Sequence, residues 1–400
     1  MRKNGVNREI RKIDGGISAP AGFLTSAVSC GFFTDEKTED LGLLFTERKC
    51  PTACVFTQNT SIGAPIKVCQ ERFKNGYAQA FVFNDGVANV FQDDGVLVAE
   101  TIRRAVAEKV KADIGDVLIG STGHIRQNLC LERVLYNVDS LTKGLDNVAY
   151  TSRFSVLSKE NSVTELAYAF DLGNYECKIG ALFIGHRKNM NYAAPLIGLL
   201  TTDVCISPEM LQRALEAEGA TLMQLLNVDG VSTPNDTLCM MSSCKAGNYK
   251  ISQTDSEYKK FCNALHEIVC VIAGYLAAEG RNSEKKLLCK VTGARSTHVA
   301  REIAREIVGN ALLKRSIKDG GISAQDIVFL ISRYVETKES ADVKISLESS
   351  SGKVLLYEEG NVLPIEWFVL KMICAEKEIT ISIRFKRGNY TAMAFGCDLC

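Results

Sequence analysis

Two apolar runs flanking one polar turn, Ile179 to Ile184 and Ala193 to Leu200, constrain the fold of this chain more than any other stretch. The first run is strand-like. Gly185 to Asn191 is polar and basic and breaks it. The second run is small and apolar and leads through Thr201-Thr202-Asp203 to Ser207-Pro208-Glu209. A serine N-cap followed by proline at the first helical position opens a helix through Met210, Leu211, Ala214 and Leu215, expected to stop at Gly219.

Similar alternation runs along the chain. Gly15-Gly16-Ile17-Ser18-Ala19-Pro20-Ala21-Gly22-Phe23 is a shaped loop leading to a strand over Thr25 to Phe33, with further strands at Leu41 to Thr46 and from Ala53 towards Asn59. Ala80 to Phe83 reads as a buried strand ending at Asn84-Asp85-Gly86-Val87-Ala88-Asn89, a polar segment suited to a turn or to a ligand. Val98, Ile102, Val106 and Val110 line one face of a helix over 96–111, and Val117 to Ser121 is a strand running into Thr122-Gly123. Residues 131–176 are expected as helix and loop. The second half holds a long amphipathic helix over 258–278, a helix over 298–308, and strands at 326–331, 343–347, 354–357 and 379–385. Helices interleaved with apolar strands predict an α/β protein, and 400 residues at 46% hydrophobic content suit one or two domains.

Balanced charge, 47 basic against 47 acidic residues, argues against nucleic acid or a membrane surface as partner. No uninterrupted apolar run reaches the roughly 20 residues of a membrane span, and the basic start lacks the apolar core of a secretory signal. The 15 cysteines are scattered and read as reduced core thiols of a cytoplasmic protein. Cys50 with Cys54, and Cys397 with Cys400, have metal-like spacing but no matching second pair, so neither a metal nor a cofactor is expected.

These motifs, in this order, resemble the ornithine acetyltransferase family, the bifunctional glutamate N-acetyltransferases of arginine biosynthesis. The resemblance rests on residues 15–23, 53–65, 81–95, 117–125, 198–203, 228–237 and on Gly388 to Leu399 near the end. It implies two α/β domains with sheets covered by helices. In the family a Thr-Gly pair forms the oxyanion hole, which here is Thr122 and Gly123. The family chain cuts itself before a threonine, which becomes the nucleophile. Gly198 and Thr201-Thr202-Asp203 set the register without a gap, and the nucleophile position then holds Pro195. Proline has no hydroxyl with which to attack a carbonyl. The family lysine becomes Ile184, and a substrate-contacting glutamate becomes Arg281. Asn84, Asn89, Asn235 and Asp236 match loops that could border the pocket. The family's cleavage point divides the chain into 1–194 and 195–400.

The resemblance thus carries the architecture while the nucleophile, lysine and glutamate are all replaced. A non-cleaving paralogue is expected, binding a small amino acid or anion and assembling as a homo-oligomer or with a related subunit. Arg281 for glutamate would disfavour ornithine. The alternatives are a working acetyltransferase, with another hydroxyl such as Thr201 as nucleophile, or an enzyme rewired around Thr122, Gly123, His124 or His186.

Overall fold

The computed structural model describes residues 10–32, 38–146, 163–184, 196–225, 233–278, 284–336, 338–339 and 342–398. The fold is mixed α/β with two sheets. By internal contacts the chain forms two units, one centred on residues 10–219 with 233–269, the other on 270–398. The strand Ile197–Thr202 and the helical residues 208–219 lie in the first unit.

The first sheet contains β1 (Arg11–Ile13), β2 (Phe23–Val28), β3 (Leu41–Phe56), β4 (Tyr77–Asn84) and β5 (Val117–Ser121), then β6 (Val163–Leu172), β7 (Tyr175–Ile184), β8 (Ile197–Thr202) and β9 (Thr237–Ser242). Its order is β1-β6-β7-β8-β9-β3-β4-β5, with β2 on β3. The β4/β5 and β8/β9 pairs are parallel, and the other neighbours are antiparallel. Every residue of β5, β8 and β9 is buried. That is why these strands read as unbroken apolar runs instead of alternating ones.

Helices α1 (Ala64–Arg72), α2 (Gly95–Val110) and α3 (Leu131–Lys143) belong to this unit. Val98, Ile102 and Val106 face the core as their spacing predicts. Arg103 lies among them at 0% exposure. Its Nε donates to Val117 O at 2.6 Å, Nη2 to Ile114 O at 2.7 Å and Nη1 to Glu100 at 3.0 Å. A guanidinium is thus accommodated in the core because its fork meets two carbonyls and a carboxylate. Burial still pushes its pKa down.

The second sheet runs β13-β12-β11-β14-β10-β15. Its strands are β10 (Lys286–Ala294), β11 (Val343–Ser349), β12 (Gly352–Glu358), β13 (Asn361–Val362), β14 (Glu378–Phe385) and β15 (Tyr390–Cys397). Cys289, Val291, Ile345, Leu347, Ile381 and Ile383 point into one core with α6 (Thr297–Gly309), α7 (Ala311–Lys318), α8 (Ala324–Ser332) and α9 (Trp367–Ala375). Two further helices, α4 (Pro208–Leu225) and α5 (Ser256–Ala278), precede this region in the chain.

Several expectations are corrected. Residues 326–331 lie in a helix, α8, not a strand; Ser323 Oγ accepts from Asp326 N at 3.4 Å, and the buried Ala324, Ile327 and Ile331 repeat at helical spacing. A short apolar run does not by itself separate the two periods. Residues 163–172, expected within a helix-and-loop region, form β6, which turns through Gly173-Asn174 into β7 with Leu172 opposite Tyr175. A two-residue loop with glycine at φ +59 is a hairpin signal. The helix α4 continues past Gly219 to Leu225. The strands at 41–46 and from 53 are one bent strand, β3, whose register shifts between Phe45 and Cys50. By length and mean hydropathy Ser256–Ala277 of α5 could cross a membrane, yet Phe261, Leu265, Ile268 and Ile272 are at 0% exposure, as in a core helix.

Candidate functional site

The candidate site is built at the carboxyl ends of the parallel strands β4 and β5, the end where ligands sit in open α/β sheets. The ladder continues past both strands. Thr122 N donates to Asn84 O at 3.0 Å, His124 N to Gly86 O at 3.0 Å, and Ala88 N to His124 O at 2.9 Å. Gly123 is the residue that allows so close an approach. Its φ is +124, and a Cβ there would lie 2.2 Å from the Gly86 carbonyl carbon. Asn84 closes the first turn by donating to Val87 O at 2.7 Å and accepting from Ser121 Oγ at 2.7 Å. Asn89 donates to Gly95 O at 2.9 Å and ties the loop to the start of α2.

A third segment, Thr233 to Thr237, locks these loops together. Asn235 is 1% exposed, and its Nδ2 donates both to Ala88 O at 2.5 Å and to Ser121 O at 3.0 Å. Its Oδ1 is buried without a hydrogen-bond partner. That oxygen points at Gly63, where a Cβ would stand 1.9 Å from it. Asp236 Oδ1 accepts from Leu196 N at 2.9 Å and from Thr233 Oγ1 at 2.6 Å, while Thr237 N donates to Leu196 O at 2.8 Å. Leu196 is therefore clamped at the mouth of β8 by the loop that carries Asn235.

The structure thus brings Asn84, Asn89, Thr122, Gly123, Asn235 and Asp236 into one cluster. Thr122 is fully buried and its amide is already used by Asn84. The Gly123 N–H has no acceptor among the described residues. His124 has an exposed side chain and serves the turn through its backbone. Ile184 is at 0% exposure in the core that also contains Ile197 and Leu199. Pro195, His186 and Arg281 lie outside the described residues. Ser121, Thr233 and Gly63 were not anticipated as partners of the cluster. Their signal was small: a serine and a threonine beside motif residues, and a glycine before Ala64-Pro65.

The Thr201-Thr202-Asp203 run has a different task. Thr201 Oγ1 donates to Ile17 O at 2.5 Å and Thr202 Oγ1 to Lys178 O at 2.8 Å. Asp203 accepts from Lys178 N at 2.8 Å and Ala21 N at 3.4 Å. Burial raises the Asp203 pKa, and those two amides partly offset the shift. The run holds the 16–22 loop onto the sheet. Among the described residues no group of three or more metal-ligating side chains occurs, and Cys50 and Cys54 are buried thiols on β3.

Against known proteins, the sequence profile described as the ArgJ family matches residues 24–400. The arginine biosynthesis bifunctional protein ArgJ of Bacillus licheniformis is 28% identical over 398 residues, covering 98% of this chain and 95% of that one. The protein of the same name from Bacillus subtilis is 27% identical over 395 residues, 98% and 95% of the two chains. Among solved structures, the arginine biosynthesis bifunctional protein ArgJ of Bacillus halodurans matches 47% of this chain and 98% of that chain, at 23% identity and a TM-score of 0.40.

Proposed function

This chain belongs to the ArgJ family, and from that premise we propose that it is a member that neither cleaves itself nor transfers acetyl groups. It keeps the frame of the site to hold a small amino acid or anion. The observation that carries the proposal is Pro195 at the nucleophile position, in a register set by Gly198 and Thr201-Thr202-Asp203. Two facts support it. The hydroxyls of Thr201 and Thr202 are committed to the Ile17 and Lys178 carbonyls, so neither is a substitute nucleophile. Ile184 is sealed in the core, where no cation is offered to a substrate. A cytoplasmic location and assembly with copies of itself or a related subunit belong to the same proposal; the free cysteines among the described residues support a reducing location.

The second reading is acetyl transfer of the kind the relatives' names state. It is favoured by whole-length similarity at 28% identity and by the free Gly123 amide, which suits an oxyanion.

Electrophoresis under denaturing conditions separates the two. One band near 43.8 kDa is expected, with no acetyl transfer from N-acetylornithine to glutamate above a heat-killed control. Pro195→Thr alone is expected to restore neither cleavage nor transfer, since groups that act as a unit are not rescued singly. Two fragments, one of them beginning near residue 195, or turnover by the unmodified chain, would sink the proposal.

A further inference from the structure

The second sheet has a face that its core does not use. Cys289, Val291, Ile345, Leu347, Ile381 and Ile383 bury the inner face. By strand alternation Lys290, Thr292, Lys344, Ser346, Ser382 and Arg384 stand on the other. They line an open cavity of about 540 Å³, with Lys353 at its β12 edge. That volume falls within the range of small-molecule sites, roughly 300–1,000 Å³.

Four cations and no carboxylate line this cavity. Two are neutralised at its edge: Lys344 pairs with Glu358 at 2.9 Å and Lys353 with Glu348 at 2.8 Å. Lys290 and Arg384 make no ion pair within 4.0 Å among the described residues and both are exposed, although Lys290 also helps Lys353 to hold the Glu348 pKa down from a greater distance. The ladder sets their relation. Arg384 is directly opposite Lys344 on one side and Thr292 on the other, while Lys290 is opposite Ser382, one diagonal step from Arg384. Such diagonal neighbours stand about 7–8 Å apart at the backbone. Two unpaired cations at that spacing, with the Thr292, Ser346 and Ser382 hydroxyls between and beside them, fit two linked anionic groups better than one. The Arg384 fork and the hydroxyls favour tetrahedral phosphate oxygens, which accept from several directions.

We propose that this face of the second sheet binds a small ligand carrying two or more linked phosphates, independently of the site at the ends of β4 and β5. Inorganic tripolyphosphate and ATP are the probes, titrated calorimetrically against the full chain at low and at physiological salt. Both are expected to bind, more weakly at higher salt as screening requires. Lys290→Ser and Arg384→Ser are each expected to weaken tripolyphosphate about tenfold, the loss of one charge-assisted contact. Both residues are exposed, so unchanged thermal midpoints are expected to show that the fold is intact. Tripolyphosphate without ATP assigns the site to the polyphosphate alone and supports the proposal. No binding of tripolyphosphate, equal binding by the variants, or citrate bound as tightly as tripolyphosphate would overturn it.

Discussion

Asn235 shows how a single side chain can hold three segments that are far apart in sequence. It donates to Ala88 O and Ser121 O, and its own Oδ1 is left against Gly63. Asn235→Ala would leave two buried carbonyls without these donors while relieving one stranded oxygen. A net loss of about 2 kcal/mol is expected, since an unsatisfied buried polar group costs about 1–3 kcal/mol. Urea unfolding is the check, and a change under about 0.5 kcal/mol would show that the network is not what binds the loops. That Asn235 would matter was legible from the motif around it. Its partners were not, because Ala88 and Ser121 contribute backbone oxygens, and any residue type has those.

Among elements, α2 and β5 are joined by Arg103. Its hydrogen bonds reach the 3-10 turn at Ile114 and the first residue of β5. Arg103→Leu fills similar space but leaves Ile114 O and Val117 O without their donor and the Glu100 carboxylate with Arg72 as its remaining partner. A destabilisation of about 3 kcal/mol is expected, since each unsatisfied buried polar group costs about 1–3 kcal/mol. Arg103→Lys keeps the charge and loses the fork, so most of the loss should remain. If chemical denaturation instead found the leucine variant as stable as the parent, the clamp would be ruled out. The helical pattern of Val98, Ile102 and Val106 was readable from spacing alone. The identity of α8 was not, because a run of apolar residues fits a buried strand equally well until Ser323 and its contact with the Asp326 amide are seen.

For the whole molecule, the thiols link the core to pH. Burial pushes Cys30, Cys50, Cys69 and Cys177 up to about 12 from an ordinary value of 9.0. Their folded pKa values exceed the unfolded one, so the stability they contribute is fully present below about pH 9 and is lost as pH rises towards 12. Each contributes a slope of about 1.4 kcal/mol per pH unit in that window. The thermal midpoint should be level from pH 7 to 8 and fall steadily from pH 9 to 10.5. A thiol reagent at pH 8 should label the exposed Cys130 first and these four only on unfolding. Rapid labelling of the four in the native protein, or a midpoint flat through pH 10.5, would count against this core.

What the sequence determined by itself was family and fold class. Those are carried by residue types in order: the glycines, Thr122-Gly123 and Thr201-Thr202-Asp203. The tertiary structure alone decided the uses of those residues. Thr201 and Asp203 hold the 16–22 loop, Asn84 and Asn89 close their own turns, and Asp236 grips the amide of Leu196. Hydrogen bonds between residues more than a hundred positions apart leave no local period to read. Neither does a sheet face assembled from four strands, each of which contributes only one of its cations.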